Sequence, residues 1–206
     1  ELKNRIIMLV MHTAFAKGGK LSEEDYAFFE ARAKGSPAAI TQVVGVNDEG
    51  TADSMPNVTD ESFFDAEKRI TDMIHSYGTK HIVQLFHRGR NAASDKGLKP
   101  IAPSNVPSGI YRNECEVMTA EKIEETVKAF ADAALKLKEI GVDAVEVSMS
   151  AGYLLSLFFS PITNLRDDEY GGDEERRMKA PLDVLRAIRK AVGKDYPIIV
   201  RIAGSQ

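Results

Sequence analysis

The sequence is poor in several residue types that commonly signal a function. It contains one cysteine, Cys115, no tryptophan, and four histidines that are scattered along the chain. A single cysteine cannot form an internal disulfide, which favours a reducing, cytoplasmic location. One cysteine and scattered histidines also lack the spacing of metal ligands, so we expect no metal site.

Long apolar runs and an excess of positive charge are missing as well. No apolar run approaches the roughly 20 residues that a membrane span needs, and the N-terminus shows no signal-peptide pattern. The formal net charge of −4 gives no reason to expect nucleic acid or an anionic membrane as a partner. Neither a Gly-x-Gly-x-x-Gly motif after the first strand nor a phosphate-binding P-loop motif is present.

The 206 residues fit a single domain, residues 1–206, in which strand and helix patterns alternate. Ser22 and Asp25 resemble a capping box at the start of the first helix, and Thr119 caps the third. Pro181 is expected in the first turn of the last helix, or at a kink. The predicted strands are 6–11, 38–46, 81–86, a short run that begins after Gly141, and 198–202. The predicted helices are 22–35, 63–77, 119–140 and 178–192.

This alternation predicts an α/β protein with a parallel sheet and right-handed crossovers. A long polar connection, residues 87–118, interrupts it, and such connections are usually functional or mobile. Each strand has a polar residue at or near its C-terminal end, an arrangement that converges on one pocket in an eight-stranded β/α barrel. A doubly wound sheet is the alternative, and we favour the barrel. These strand-end residues are His12, Thr13, Gln42, Gln84, His87, Ser148 and Arg201.

Several strings of residues, in order, resemble a known family. Residues 84–90 read Gln-Leu-Phe-His-Arg-Gly-Arg, residues 152–155 read Gly-Tyr-Leu-Leu, and residues 164–172 read Asn-Leu-Arg-Asp-Asp-Glu-Tyr-Gly-Gly. They resemble the old yellow enzyme family of NADH:flavin oxidoreductases, which includes ene-reductases and 2,4-dienoyl-CoA reductases. The resemblance covers essentially the whole chain. It implies a (β/α)8 TIM barrel, FMN as cofactor, and NADH or NADPH as reductant.

The same resemblance assigns residues to the flavin. Gln84 stands where the family's glutamine hydrogen-bonds the isoalloxazine, and Arg201 where its arginine lies near the N1–C2 edge. Reduced flavin carries negative charge near N1, which a fixed guanidinium stabilises. The remaining cofactor-binding positions are Val10, Met11, His12 and Val43.

Two substrate-binding positions depart from the family. Just before Gly-Tyr the family has two histidines, or a histidine and an asparagine, that donate hydrogen bonds to the substrate's carbonyl oxygen. This chain has Ser148 and Ala151 there, so one side-chain donor is lost, a change that typically costs roughly 3–4 kcal/mol of transition-state stabilisation. Tyr153 stands at the position of the family's catalytic proton donor. Five further polar residues are expected to hold loops in place rather than to take part in catalysis: His87, Arg90, Arg166, Asp168 and Tyr170.

The resemblance accounts for about five of the eight β/α units. The family's phosphate-binding loops follow the seventh and eighth strands, so we expect the isolated 206 residues to bind FMN weakly or not at all. Open parallel edges are rarely tolerated, so we expect either that the chain is part of a longer protein or that the missing strands come from another copy, as in a homo-oligomer, or from a complementing chain.

Two hypotheses about function follow. The first is an FMN-dependent oxidoreductase that passes hydride from NAD(P)H through flavin to a small-molecule substrate, an activated alkene or a similar acceptor, impaired by the loss of the histidine pair. The alternative is a non-catalytic or degenerate half-barrel that serves as an assembly partner. A flavin-free lyase or aldolase is less favoured because no lysine stands at a strand end.

Overall fold

The computed structural model describes residues 1–92, 97–109, 112 and 114–204. No helix in these ranges combines the length and the apolar character that a membrane crossing requires. The helices are α1 (Glu23–Ala33), α2 (Phe63–Ser76), α3 (Ala120–Glu139), α4 (Leu154–Phe159) and α5 (Glu174–Val192). The strands are β1 (Ile7–Met8), β2 (Ala39–Gly45), β3 (Lys80–Phe86), β4 (Ile101–Ala102), β5 (Glu116–Val117), β6 (Ala144–Met149) and β7 (Ile198–Ile202).

Five strands form one parallel sheet in the order β1-β2-β3-β6-β7. Each strand of this sheet lies beside the one that precedes it along the chain. A doubly wound sheet would reverse its order at a switch point, whereas a β/α barrel adds strands in one direction. The sheet is therefore five consecutive units of a TIM-type barrel, as predicted. The short strands β4 and β5 pair separately.

The two faces of the sheet have different partners because successive strand residues point to opposite sides. On the outer face, Val44, Val83 and Val145 belong to the main apolar core together with Phe130 of α3 and Ile188 of α5. On the inner face, Val43 is in register with Gln84, and Gln84 with Glu146. Ser148 is in register with Arg201. This alternation turns Gln84, Glu146, Ser148 and Arg201 inward.

Two helix starts follow the predicted chemistry. The Ser22 hydroxyl accepts from the Asp25 amide while the Asp25 carboxylate accepts from the Ser22 amide, which completes the capping box of α1. The Thr119 hydroxyl accepts from the Lys122 amide at the start of α3. Pro181 lies inside α5, beyond its first turn, because the helix begins at Glu174 rather than near residue 178.

Two other predictions need correction. Thr13, Gln42 and His87 do not line the cavity that the other strand-end residues share. Thr13 Oγ1 donates to Asp25 over 2.7 Å. Gln42 points outward, because Val43 occupies the inward direction on β2. Its Nε2 donates to Glu67 on α2 over 2.8 Å.

The connection 87–118 includes residues outside the described ranges. Its described part contains a 3-10 turn, Gly89–Asn91, and the strands β4 and β5.

Candidate active site

A cavity of about 270 Å³ lies at the C-terminal ends of the strands, the end at which β/α barrels carry their active sites. A larger groove of about 520 Å³ lies on the outer surface between α3 and α5 and contains none of the predicted site residues. The strand-end cavity is lined by Val10, His12, Val43, Met55, Gln84, Phe86, Arg88, Ser148, Ser150, Ala151, Tyr153 and Arg201.

The structure brings all but one of the predicted cofactor, substrate and catalytic residues to this cavity. The exception is Met11, whose side chain is 59% exposed and does not line the cavity. Val10 and His12 do line it, and in an extended segment the residue between two such neighbours points the other way. The contacts of Met11 therefore give its predicted role no support, while the roles of the others stay predictions.

Glu146 of β6 joins the two polar residues assigned to the flavin. Its Oε1 accepts a hydrogen bond from Gln84 Nε2 on β3. The same oxygen accepts from Arg201 Nε on β7 over 2.8 Å, and Oε2 accepts from Arg201 Nη2 over 3.3 Å. The carboxylate thus connects three neighbouring strands on their inner face. Glu146 is not among the predicted site residues, although its position two residues before Ser148 places it on the same face.

Tyr153 stands at the start of α4, after a tight turn. Ala151 and Gly152 have φ of +57° and +73°, so the backbone is left-handed at both residues. Asn91 Nδ2 donates to the Gly152 carbonyl over 3.1 Å, and the Leu154 amide donates to the His87 carbonyl over 3.0 Å. The segment after β3 therefore fixes the turn that delivers Tyr153 to the cavity.

An apolar wall faces these polar groups. Val43, Met55 and Phe86 form a buried cluster with Val10 and Tyr153 packed against it. The rings of Phe86 and Tyr153 meet edge to face, with centroids 4.4 Å apart. Met55 comes from an irregular loop, so neither strand nor helix periodicity in the sequence could have identified it.

The residues expected to brace loops make the contacts that such a role requires. Burial lowers the pKa of His87 to about 3, and its Nδ1 accepts from the Gly89 amide. A Cβ on Gly50 would lie 2.5 Å from the His87 ring, so this position needs glycine. Arg90 donates to two backbone carbonyls, and Arg166 donates to two others and to Asp168.

His12 has a further contact at the cavity rim, where its Nε2 lies 3.0 Å from the Ser54 carbonyl oxygen.

Cys115 is buried, and burial raises the pKa of its thiol. Within the described ranges, no group of three histidine, cysteine, aspartate or glutamate side chains is placed to hold a metal ion.

Comparisons of the sequence and of the structure with known proteins point to the same family. A model of the NADH:flavin oxidoreductase / NADH oxidase family matches residues 1–206. A metal reductase of Desulforamulus reducens is 42% identical over the whole chain, and an NADH oxidase of Thermoanaerobacter brockii is 35% identical. The solved structure of an old yellow enzyme homologue from Zymomonas mobilis is 27% identical over 98% of the chain, with a TM-score of 0.89.

All three relatives are longer than the chain. The chain spans 31% of the metal reductase and 32% of the NADH oxidase. It spans 59% of the old yellow enzyme homologue. In each case the match covers 98% or more of this chain.

Proposed function

This chain belongs to the NADH:flavin oxidoreductase / NADH oxidase family, and we propose that its strand-end cavity binds FMN in an enzyme that oxidises NADH or NADPH. The observation that carries the proposal is the convergence of Gln84, Arg201 and Tyr153 on one cavity. Gln84 lies on β3, Arg201 on β7 and Tyr153 at the start of α4, so three elements that are distant in the sequence contribute these residues. The names of the two curated relatives, a metal reductase and an NADH oxidase, also support electron transfer.

The donor set of the cavity fits a flavin. Glutamine can both donate and accept at the pyrimidine edge, and a guanidinium favours negative charge near N1. Val43, Met55 and Phe86 give the apolar wall that a planar ring requires. Bound FMN would supply a centre that takes up a hydride and passes it on.

We assign the proton-donating role to Tyr153. Its phenol lines the cavity beside Ser148, and its ring packs on Phe86, which restricts its orientation. Because its backbone is held by the turn at Ala151–Gly152, the phenol has a fixed place from which to protonate a carbon acceptor.

The acceptor in this proposal is an activated alkene or a similar electron-poor small molecule. Ser148 is buried at the cavity and offers one hydroxyl donor, while Ala151 offers no side-chain donor. A developing oxyanion at these positions would be held by one side chain at most. We therefore expect slow turnover of acceptors that depend on two donors.

Anaerobic spectroscopy of the full-length protein tests this function. We expect flavin absorbance bands that NADH or NADPH bleaches and that an activated alkene restores. Tyr153→Phe should leave bleaching unchanged and slow the restoration by about 100-fold, because general acid catalysis contributes 10²–10⁴. A protein that takes up no FMN and shows no flavin bands would contradict the proposal.

A further inference from the structure

The carboxylate of Glu146 is the point where the two flavin-facing polar groups meet. Its side chain is only 7% exposed, and both of its oxygens accept hydrogen bonds. A buried carboxylate needs such partners, because an unpaired charge is strongly disfavoured in an apolar interior. Gln84 and Arg201 supply them from the strands on either side of β6.

The bond to Gln84 determines the orientation of that amide. An ionised carboxylate accepts hydrogen bonds and cannot donate. Gln84 must therefore turn its Nε2 toward Glu146, which directs its carbonyl oxygen elsewhere. The side chain lines the cavity, so the bond to Glu146 leaves Gln84 its carbonyl oxygen and the second hydrogen of Nε2 for a ligand there.

The bond to Arg201 changes the charge that the cavity offers. Arg201 Nε lies 2.8 Å from Glu146 Oε1, so the guanidinium is the positive half of a close ion pair. Arginine opposite a carboxylate stabilises a nearby anion less than an uncompensated arginine would. Reduced flavin is such an anion, with its charge near N1.

We propose that Glu146 is a positioning residue that orients Gln84 and lowers the reduction potential of the flavin by compensating the charge of Arg201. This inference rests on the proposed function, because it concerns FMN in the same cavity. It adds a role for a residue that contacts the cofactor only through its two neighbours.

The test uses the full-length protein reconstituted with FMN and measures both the dissociation constant and the reduction potential of the bound flavin. Glu146→Gln removes the negative charge and should shift the potential to a more positive value. It should also weaken FMN binding about tenfold, because one charge-assisted hydrogen bond is lost. Glu146→Asp keeps the charge but shortens the side chain, so it should weaken binding while the potential stays near that of the wild type.

Glu67→Gln is the matched control. Glu67 is also fully buried, but it lies on α2 against the outer face of the sheet. A purely structural effect of replacing a buried glutamate would lower stability in both variants and leave the potential unchanged. We expect Glu67→Gln to leave both FMN measurements unchanged.

Unchanged potential and affinity in Glu146→Gln would overturn the inference while leaving the proposed function intact. If that variant does not fold, Glu146→Asp decides, and an unchanged FMN affinity overturns the inference. A wild-type protein that does not bind FMN would remove the proposed function and this inference together.

Discussion

Ala151 is the residue at which a single substitution should change the chemistry most. Its φ of +57° lies in the left-handed region, which asparagine adopts more readily than alanine does. Ala151→Asn would add an amide donor at the cavity beside Ser148. We expect kcat/KM for an activated enone to rise about tenfold, since one oxyanion donor contributes 10²–10³ when ideally placed.

Ala151→Asp is the matched control for this prediction. Aspartate has the size of asparagine and tolerates the same backbone, but its ionised carboxylate donates no hydrogen bond. It should not accelerate the enone reaction, and neither variant should change the rate of flavin reduction by NADPH. Equal rates for both variants and the wild type would show that position 151 does not act on the acceptor.

The placement of residues at the cavity could be predicted where the family resemblance fixes their position in the sequence. Gln84, Tyr153 and Arg201 are such residues, and all three line the cavity, while their roles stay predictions. Gln42 could not be assigned in the same way, because polarity at a strand end does not reveal which face the residue occupies. That depends on register, and a shift of one residue reverses it.

At the level of elements, Thr119 offers a direct test of helix capping. It is exposed, and its hydroxyl accepts from the Lys122 amide at the start of α3. Thr119→Ala should lower the free energy of unfolding by about 1 kcal/mol, because an amide at the helix start loses its partner. Chemical denaturation measures this loss. Thr119→Ser retains the hydroxyl and should remain close to the wild type, so equal losses in both variants would contradict the capping role.

The elements themselves were largely predictable, because caps and apolar periodicity are local. The capping box at Ser22 and the stripes of α2 and α3 defined three helices close to their observed bounds. The short helix α4 was not predicted, since Leu154–Phe159 is apolar apart from Ser156 and is too short to show a helical period. Its place follows from tertiary contact, including the hydrogen bond from Leu154 to His87.

At the scale of the whole molecule, three buried groups should control how stability depends on pH. Burial lowers the pKa of His81 and of His87 from 6.5 to about 3. Burial raises the pKa of Glu67 from 4.5 to about 8. His81 Nδ1 and Glu67 Oε1 lie 3.6 Å apart, but full burial of both side chains favours the neutral pair.

The signs of these shifts predict a maximum of stability near pH 6.5. Below pH 6.5 both histidines become protonated in the unfolded chain, but they stay neutral in the folded protein. Stability therefore falls as the pH falls. Above 4.5 the unfolded chain releases the Glu67 proton, which the folded state retains until about pH 8, so stability falls as the pH rises. Between 4.5 and 6.5 the two histidines outweigh the one carboxyl.

Glu67→Gln isolates the carboxyl's part of this profile. Between pH 6.5 and 8 the wild type should lose roughly 1 kcal/mol of unfolding free energy per pH unit through this group. The variant has no carboxyl to titrate there, so its stability should not decline over the same interval, while the decline below pH 6.5 remains. Urea denaturation at intervals of half a pH unit would measure both profiles. Parallel profiles above pH 6.5 would mean that Glu67 is already ionised in the folded protein, and that His81 or Gln42 stabilises its charge.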